Sequence, residues 1–216
     1  MALERSTLME SAVDLGPELL GSLISHTTEE GTVTIRLTEL EAYVGNGVDP
    51  GSHAHRGKTK RNATMFGEPG HLYAYFTYGM HVCGNIVCAP AEQPSGLLMR
   101  GGEVVEGIDI ARRRRATAKS DRDLARGPGR LAVALGIQLA DNGSDLFAAP
   151  FELREGQKPQ SVLSGPRTGV SGLGGSDLYP WRFWIEGDRT VSPYKRHPRS
   201  RVAVSRSRGS RRPRPP

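Results

Sequence analysis

The chain has 216 residues and a net charge of +6 at pH 7, which is enough for one domain with a buried core. No apolar run approaches the roughly 18 residues of a membrane helix. The first residues, MALERSTLMESAVDLGPELLG, lack the basic and apolar regions of a signal peptide. We therefore expect a cytoplasmic protein with no membrane partner, nucleoid-associated if its source is bacterial.

The positive charge is concentrated at the C-terminus. Residues 195–216 contain nine Lys/Arg and no acid, so the first 194 residues carry 20 basic and 23 acidic side chains. The final segment is rich in Arg, Ser and Pro, and this composition predicts a disordered tail. Such a tail would bind phosphates without sequence or lesion specificity. We expect one domain over residues 1–194 and a basic tail over residues 195–216.

The first predicted elements are a helix and three strands. A proline suited to a first helical position opens PELLGSLISH, residues 17–26, and the apolar residues after it predict a helix. Alternating apolar and polar residues predict a strand over about 32–44 with one buried face. A loop rich in Gly, Pro and Asn follows over 45–64. HLYAYFTYGMHVCGNIVC, residues 71–88, predicts two strands with a turn near 77–80.

In the second half of the chain, the predicted strands and helices follow one another in no regular order. GLLMRGGEV at 96–104 predicts a short strand, and EVVEGIDIARRRR at 103–115 has the apolar spacing of a helix. GPGRLAVALG at 127–136 predicts a helix that ends at its last glycine. Residues 140–165 are rich in loop-forming residues, and WRFWIEG at 181–187 predicts a late strand. Because strands and helices follow each other without a regular β-α-β order, we expect an α+β fold.

Two glutamates fall on the predicted buried face of the strand over 32–44. If the alternation of Val33, Ile35 and Leu37 continues, Glu39 and Glu41 both point inward. An unpaired buried carboxylate costs several kcal/mol, by order of magnitude. Either these groups form structural ion pairs, or one of them is a partly desolvated general base. A third interpretation is an inverting carboxylate pair, because two residues on one strand face lie about 7 Å apart.

Histidines and cysteines invite a metal site. His53 and His55 are close in sequence, with His81, Cys83 and Cys88 as candidate additional ligands. Their spacing matches no zinc pattern, and the deaminase signature is absent. We therefore expect no metal and no cofactor, and interpret a histidine here as a stacking or hydrogen-bonding group. The cysteine spacing also predicts no disulfide framework.

Aromatic and cationic side chains crowd into one region. Five aromatic residues lie between Phe66 and Tyr78, and Tyr78 falls at the predicted turn, where a large ring is poorly buried. Exposed aromatic rings beside cations suit base stacking or wedging into a duplex. A second cationic stretch, RGPGR at 126–130, resembles a phosphate-facing loop before a helix. The candidate phosphate contacts are Arg56, Lys58, Lys60, Arg61 and Arg130.

Taken together, these stretches resemble the alkyladenine (3-methyladenine) DNA glycosylase family, which also acts on hypoxanthine. The similarity runs in order from about residue 12 to residue 190. The combination of E-A-Y with M-F…P-G-x-L-Y-x-Y…Y-G-M and then Asn is specific. The matching segments are LTELEAYVG, DPGSHAHRGKTKRNATMFGEPGHLYAYFTYGMHVCGNIV, GLLMRGGEVVEG, RGPGRLAVALGI and GPRTGVSG…WRFWIEG.

The resemblance implies a single α+β domain with a mixed, mostly antiparallel curved sheet, surrounding helices and a protruding β-hairpin. It implies a monofunctional enzyme of base excision repair that acts on double-stranded DNA, and we expect a monomer. Glu41 matches the family's catalytic base, which activates a water for attack on the sugar C1′. Arg100 and Val170 match residues that hold this water, Val170 through its backbone carbonyl. Glu39 is then structural.

The resemblance also assigns a base pocket and a wedge. Tyr43 and His53 match residues that sandwich the extruded base, and Tyr75 matches the edge of the pocket. Asn85 matches the residue that crowds a purine 2-amino group and disfavours normal guanine. Tyr78 matches the side chain that fills the vacated stack. The implied substrates are 3-methyladenine, 7-methylguanine, hypoxanthine and ethenoadenine.

Two other functions remain open on the residues alone. One is a nucleic-acid-binding module without catalysis, in which Glu41 only supports the fold. The other is a hydrolase of free nucleosides or sugars that uses Glu39 and Glu41 together. The latter needs no wedge and would tolerate Tyr78→Ala.

Overall fold

A computed structural model of the chain describes residues 3–77 and 79–200. Eight strands and three α-helices build this part of the protein. The strands are β1 (Leu23–Thr28), β2 (Gly31–Val44), β3 (Leu72–Thr77), β4 (His81–Cys88), β5 (Ser95–Glu106), β6 (Phe151–Arg154), β7 (Val162–Gly165) and β8 (Arg182–Ile185). The helices are α1 (Ala12–Glu18), α2 (Ile108–Arg114) and α3 (Pro128–Leu135).

All eight strands belong to one curled antiparallel sheet, with the order β3-β4-β5-β2-β1-β6. The long strand β2 pairs with β5 along one edge and with β1, then β8, along the other. Helices α1 and α3 pack against the sheet and close the main apolar core. A smaller apolar cluster lies under the loop after β2. The predicted α+β class with an antiparallel curved sheet is confirmed.

The first helix was predicted in the wrong place. Helix α1 spans Ala12–Glu18, and the Ser11 hydroxyl caps it by accepting a hydrogen bond from the Val13 N–H (3.3 Å). The chain then turns at Gly21, which has φ +87° and lies against the Gln157 backbone oxygen, so no side chain fits there. The apolar residues after this turn form strand β1 instead. Burial against the sheet decides the outcome over helical spacing.

Most other elements lie where the sequence predicts them. Strands β2, β3, β4 and β8 are confirmed, as is α3, which ends at Gly136 with φ +83°. The turn between β3 and β4 contains Gly79 at φ +65°. The helix predicted over 103–115 begins only at Ile108, because the two valines before it continue β5. The loop-rich stretch 140–165 also contains β6 and β7.

Strand β2 does not keep the simple alternation that the sequence analysis extends to Glu39. Its pairing with β5 shifts on both sides of Glu39, with Thr38 as an extra residue on β2 and Arg100 as an extra residue on β5. Beyond this point both faces of β2 are covered, and residues 37–42 are all fully buried. Both glutamates are buried, as predicted. The alternation used for that prediction does not continue as far as Glu39, because the β2–β5 pairing is irregular there.

The chain continues in contact with the domain beyond residue 194. The carbonyl oxygens of Lys195 and Arg199 accept hydrogen bonds from Gly169 (2.9 Å) and Gly172 (3.2 Å). The predicted domain boundary and disordered tail stay predictions, and residues 201–216 lie outside the described part. Within residues 3–77 and 79–200, no helix is long and apolar enough to cross a membrane.

The placement of Val104 and Val105 gives a test of strand β5 against the helix expected there. Val104 is 7% exposed and Val105 is 45% exposed. We expect Val104→Ala to lower the free energy of unfolding by roughly 1.5–3 kcal/mol, because it removes buried methyl groups. Val105→Ala should cost less than about 1 kcal/mol. Urea denaturation of both variants measures the difference, and equal losses would contradict the strand.

Candidate active site

A cavity of about 940 Å³ opens between the end of β2, the β3–β4 hairpin and the loop that follows β7. Its walls also include the loop after β2 and the segment 115–130, which leads into α3. The predicted pocket residues Tyr43, His53, Tyr75 and Asn85 all line it, as do Arg100 and Val170. The fold therefore brings five separate stretches of the chain to one cavity, within residues 43–65, 73–85, 98–100, 115–130 and 168–171.

Glu41 lies directly behind the cavity wall. Its carboxylate is fully buried and accepts hydrogen bonds from the Tyr43 hydroxyl at 2.8 Å, the Thr168 N–H at 2.6 Å and the Arg100 guanidinium at 3.4 Å. All three partners line the cavity. Glu41 itself does not line the cavity and is 0% exposed, so it meets the cavity through these three groups.

Glu39 has a different environment from Glu41. Its Oε1 accepts hydrogen bonds from Nε of Arg100 (3.0 Å) and Nε of Arg182 (2.6 Å), and its Oε2 accepts from the Ser192 N–H (2.6 Å). Burial alone would raise the pKa of Glu39, but the two guanidinium groups and the Ser192 N–H outweigh it and hold the pKa below its ordinary value. Glu39 is not among the residues that line the cavity. Glu41 does not line it either, and both side chains are 0% exposed, so the two carboxylates do not flank an open space as an inverting pair would.

Three rings in contact with one another form an aromatic wall of the cavity. Tyr73 and Tyr75 stack with ring centroids 5.3 Å apart, and His53 packs edge-on against Tyr75 at 4.7 Å. Burial raises the pKa of Tyr73 to about 12, against a smaller opposing effect of the Arg61 charge. Burial lowers the pKa of His53, and there the Arg61 charge acts in the same direction. The tyrosines are thus un-ionised at pH 7 and the neutral imidazole is favoured, so this wall offers polarisable ring surfaces rather than charge.

Asn85 and Cys83 complete the wall on strand β4. The Asn85 amide donates a hydrogen bond to the Tyr73 carbonyl oxygen at 3.0 Å, which fixes the side chain across the β3–β4 pair. Burial raises the pKa of Cys83 to about 11, so its sulfur is a thiol at pH 7. Cys83 and Cys88 are both free and buried. Asn85 therefore presents a rigid polar group to the cavity, not a mobile one.

An entirely buried ion pair holds the loop that carries Thr168 and Val170. The Arg167 guanidinium contacts both carboxylate oxygens of Asp49, donates to the carbonyl oxygens of Ala42 and Gly174, and stacks 4.4 Å over the Tyr43 ring. Both charged side chains have 0% exposure. This pair ties β2 to the loop at 168–171, so it sets the distance between Glu41 and Thr168.

Only part of the predicted cationic surface is free in this structure. Lys58 pairs with Glu92 at 2.8 Å, and Arg61 donates to the Phe76 carbonyl oxygen at 2.9 Å, which ties the loop after β2 to the β3–β4 hairpin. Arg56 and Lys60 are exposed, and exposed Arg130 lines the far end of the cavity. Tyr78, the predicted wedge residue, lies outside the described part of the chain.

The sequence analysis missed several residues that build the site. Arg167 and Arg182 each stand between apolar or small neighbours in GPRTG and WRFW, and such an isolated arginine is a signal for a buried ion pair. Asp49, Thr168 and Ser192 gave no comparable signal, because their roles depend on contacts with residues 118 or more positions away. Among the described residues, no group of three His, Cys, Asp or Glu side chains is arranged to hold a metal ion.

A deeply buried carboxylate beside a cavity with aromatic walls is an arrangement suited to hydrolysis of a bond to a flat ring. The model of the methylpurine-DNA glycosylase (MPG) family matches residues 6–189. A protein of Leifsonia xyli subsp. xyli with the name "Putative 3-methyladenine DNA glycosylase" is 56% identical over 200 residues, 91% of this chain and 94% of that protein. The chain belongs to the methylpurine-DNA glycosylase family.

Further relatives have the same name. The Streptomyces avermitilis protein is 50% identical over 92% of this chain and 95% of its own length, and the Nocardia farcinica protein is 46% identical over 88% and 92%. The family resemblance stated from the motifs is thereby confirmed, as is the enzyme class, a DNA glycosylase that hydrolyses N-glycosyl bonds in DNA repair.

The Asp49–Arg167 pair gives a stability prediction. Asp49→Asn leaves the Arg167 charge buried without its counter-ion, so we expect a loss of about 3–5 kcal/mol in the free energy of unfolding. Glu92→Gln, which removes the exposed partner of Lys58, should cost less than about 1 kcal/mol. Urea denaturation compares the two variants. An Asp49→Asn protein as stable as the Glu92→Gln control would show that the pair does not hold the loop.

Proposed function

We propose that the protein excises methylated and deaminated purines from double-stranded DNA, and that Glu41 is the base that activates the attacking water. The observation that carries the proposal is the Glu41 carboxylate, buried behind the cavity and bonded to three groups that line it. The relatives' printed names support a methylated purine as the substrate. Glycosidic hydrolysis requires a carboxylate of this kind next to the sugar.

The proposed chemistry is a single displacement by water. Glu41 takes a proton from the water, the water oxygen forms a bond to C1′ of the sugar, and the N-glycosidic bond breaks. The electron pair of that bond leaves with the base, and an abasic site remains. Arg100 holds the water through a guanidinium N–H, and the carbonyl oxygen of Val170 accepts a hydrogen bond from the O–H that the water keeps. The Glu41 charge also stabilises the oxocarbenium-like transition state.

The base must leave the duplex before this attack, at a cost of a few kcal/mol for unstacking. Tyr43, His53 and Tyr75 offer the ring surfaces that would receive it, and a cationic methylated purine is attracted to such surfaces. Tyr78 is proposed to fill the vacated stack and offset part of the cost. Arg56, Lys58, Lys60, Arg61 and Arg130 are proposed contacts to the phosphates of a single duplex bound by a monomer.

Discrimination is proposed to come from Asn85. Its amide is fixed by the Tyr73 carbonyl oxygen, so it cannot swing away from a purine 2-amino group. Normal guanine has this group, whereas hypoxanthine, 3-methyladenine and ethenoadenine do not. The 7-methylguanine base also has it, and its positive charge, which makes it a good leaving group, compensates for the crowding.

The general base is tested with Glu41→Gln, which keeps the size of the side chain. We expect release of hypoxanthine and of methylated bases from duplex DNA to fall by about 10²–10⁴-fold, since the amide cannot take the proton. Single-turnover assays with alkali cleavage of abasic product measure it. Glu152→Gln, an exposed carboxylate on β6, is the matched control.

Duplex binding by the Glu41→Gln protein separates the other functions. Retained binding with lost release supports the general base. Release by this variant at the wild-type rate would overturn the mechanism. Binding by the wild-type protein without release from any modified duplex would favour a non-catalytic module. Strand cleavage without alkali would show that the enzyme is not monofunctional.

The Asn85 proposal predicts a change in product ratio. Dimethyl-sulfate-treated DNA supplies 7-methylguanine, which has the 2-amino group, and 3-methyladenine, which lacks it. Asn85→Ala should raise the release of 7-methylguanine relative to 3-methyladenine by about tenfold, because the crowding is relieved. Chromatography of the released bases measures the ratio. Val82→Ala on the same strand should leave it unchanged, and an unchanged ratio in Asn85→Ala would contradict the role.

A further inference from the structure

We propose that Glu39 is a positioning residue for catalysis: held by Arg182 and Ser192, it fixes the Arg100 guanidinium so that one end of it is available to Glu41 and the attacking water. This inference rests on the proposed role of Glu41. It goes beyond that role because Glu39 would act through Arg100 rather than on the water itself, and a fully buried carboxylate in a sheet would otherwise serve stability alone.

The first argument is the local backbone. Arg100 is the extra residue where the β2–β5 pairing shifts, since Glu39 pairs with Gly101 and Leu40 pairs with Met99. A bulge of this kind redirects a side chain near an active site. It also leaves Arg100 without the cross-strand partner that would otherwise restrict it. The direction of Arg100 must therefore be set by side-chain contacts.

The second argument is which part of the guanidinium each partner holds. Glu39 accepts from Nε at 3.0 Å, and the Ser192 hydroxyl accepts from one terminal nitrogen at 3.2 Å. The other terminal nitrogen donates to Glu41 at 3.4 Å. Two contacts at one side of a planar group fix its rotation, so the nitrogen that faces Glu41 is placed by Glu39 and Ser192. The long Glu41 contact cannot do this by itself.

The third argument is that Glu39 is itself rigid. Its Oε1 also accepts from Arg182 at 2.6 Å, and its Oε2 accepts from the Ser192 N–H at 2.6 Å. Arg182 in turn donates to the Ser192 carbonyl oxygen and stacks on Trp184. A Cβ on Gly101 would lie 3.1 Å from Glu39 Oε2, so the neighbouring strand closes the remaining space.

The fourth argument is charge balance. Glu39 and Glu41 face Arg100 and Arg182 in one buried cluster, with two charges of each sign. Neutralising Glu39 leaves both guanidinium groups with Glu41 as their single counter-ion in the cluster. The electrostatic field inside the cluster then becomes more positive, and this acts on every ionisable group in it. The titratable and charged groups around Glu41 are Tyr43 and Glu39 on β2, Arg100 on β5, Arg182 on β8, Tyr75 on β3 and Arg167 on the loop after β7.

The test is Glu39→Gln, assayed in single turnover on a hypoxanthine-containing duplex across pH. We expect the rate at pH 7 to fall by about 10–100-fold, because Arg100 loses its fixed direction. The acid limb of the pH–rate profile should move to lower pH, because the cluster has one negative charge fewer. A purely structural carboxylate would lower thermal stability and leave the profile of the folded protein unchanged.

Two controls make the outcome specific. Asp145→Asn removes a carboxylate that likewise binds an arginine, Arg5, and a backbone N–H, that of Phe147, remote from the site. It should lower stability and leave rate and pH profile unchanged. In a Glu41→Gln background, Glu39→Gln should produce little further loss, since both act on the same water.

Ser192→Ala tests the proposal without changing a buried charge, and it serves even where Glu39→Gln does not fold. It removes the hydroxyl that accepts from Arg100, while the backbone N–H still binds Glu39. We expect about a fivefold lower rate. Wild-type rates and pH profiles in folded Glu39→Gln or in Ser192→Ala would overturn the positioning role. Activity that survives in Glu41→Gln would instead overturn the proposed mechanism.

Discussion

The structure depends on the burial of two carboxylates in the middle of its longest strand. Glu39 and Glu41 are both fully buried on β2, where strands β5 and β8 flank them. Arg100 and Arg182 come from those flanking strands and supply the opposite charges. Burying either sign alone would cost several kcal/mol, by order of magnitude. The charges therefore require β5 and β8 to meet β2 at this point, and the curled sheet supplies that arrangement.

Local sequence patterns were sufficient to predict most of the strands and helices. The hairpin of β3 and β4, strand β2 and helix α3 each have their own periodicity and their own glycine at a turn or an end. Two of the predicted helical segments were wrong for the same reason. The apolar residues after α1 and the valines at the end of β5 have helical spacing, yet both segments lie in the sheet. Pairing with a distant strand decided these cases, and short apolar runs do not reveal it.

The candidate site was predictable in its residue types and not in its geometry. The motifs pointed to Glu41, Arg100 and the aromatic wall, because each of these lies in its own recognisable stretch of sequence. The supporting groups come from elsewhere: Thr168 is 127 residues from Glu41, and Ser192 is 153 residues from Glu39. Sequence spacing carries no information about such contacts. An arginine among apolar neighbours indicates a buried partner and leaves open which carboxylate that partner is.

The charges next to Tyr43 are paired, and this bears on the proposed range of substrates. Arg167 lies 4.4 Å over the Tyr43 ring, which by itself would weaken attraction of that ring for a second cation. Asp49 neutralises Arg167 through both carboxylate oxygens, as Glu39 does for Arg182. The end of the cavity at Tyr43 then offers ring surfaces and hydrogen bonds, whereas the cations Arg115, Lys119 and Arg130 line the part of the cavity that leads into α3. The proposed discrimination between bases then rests on shape and on leaving-group strength.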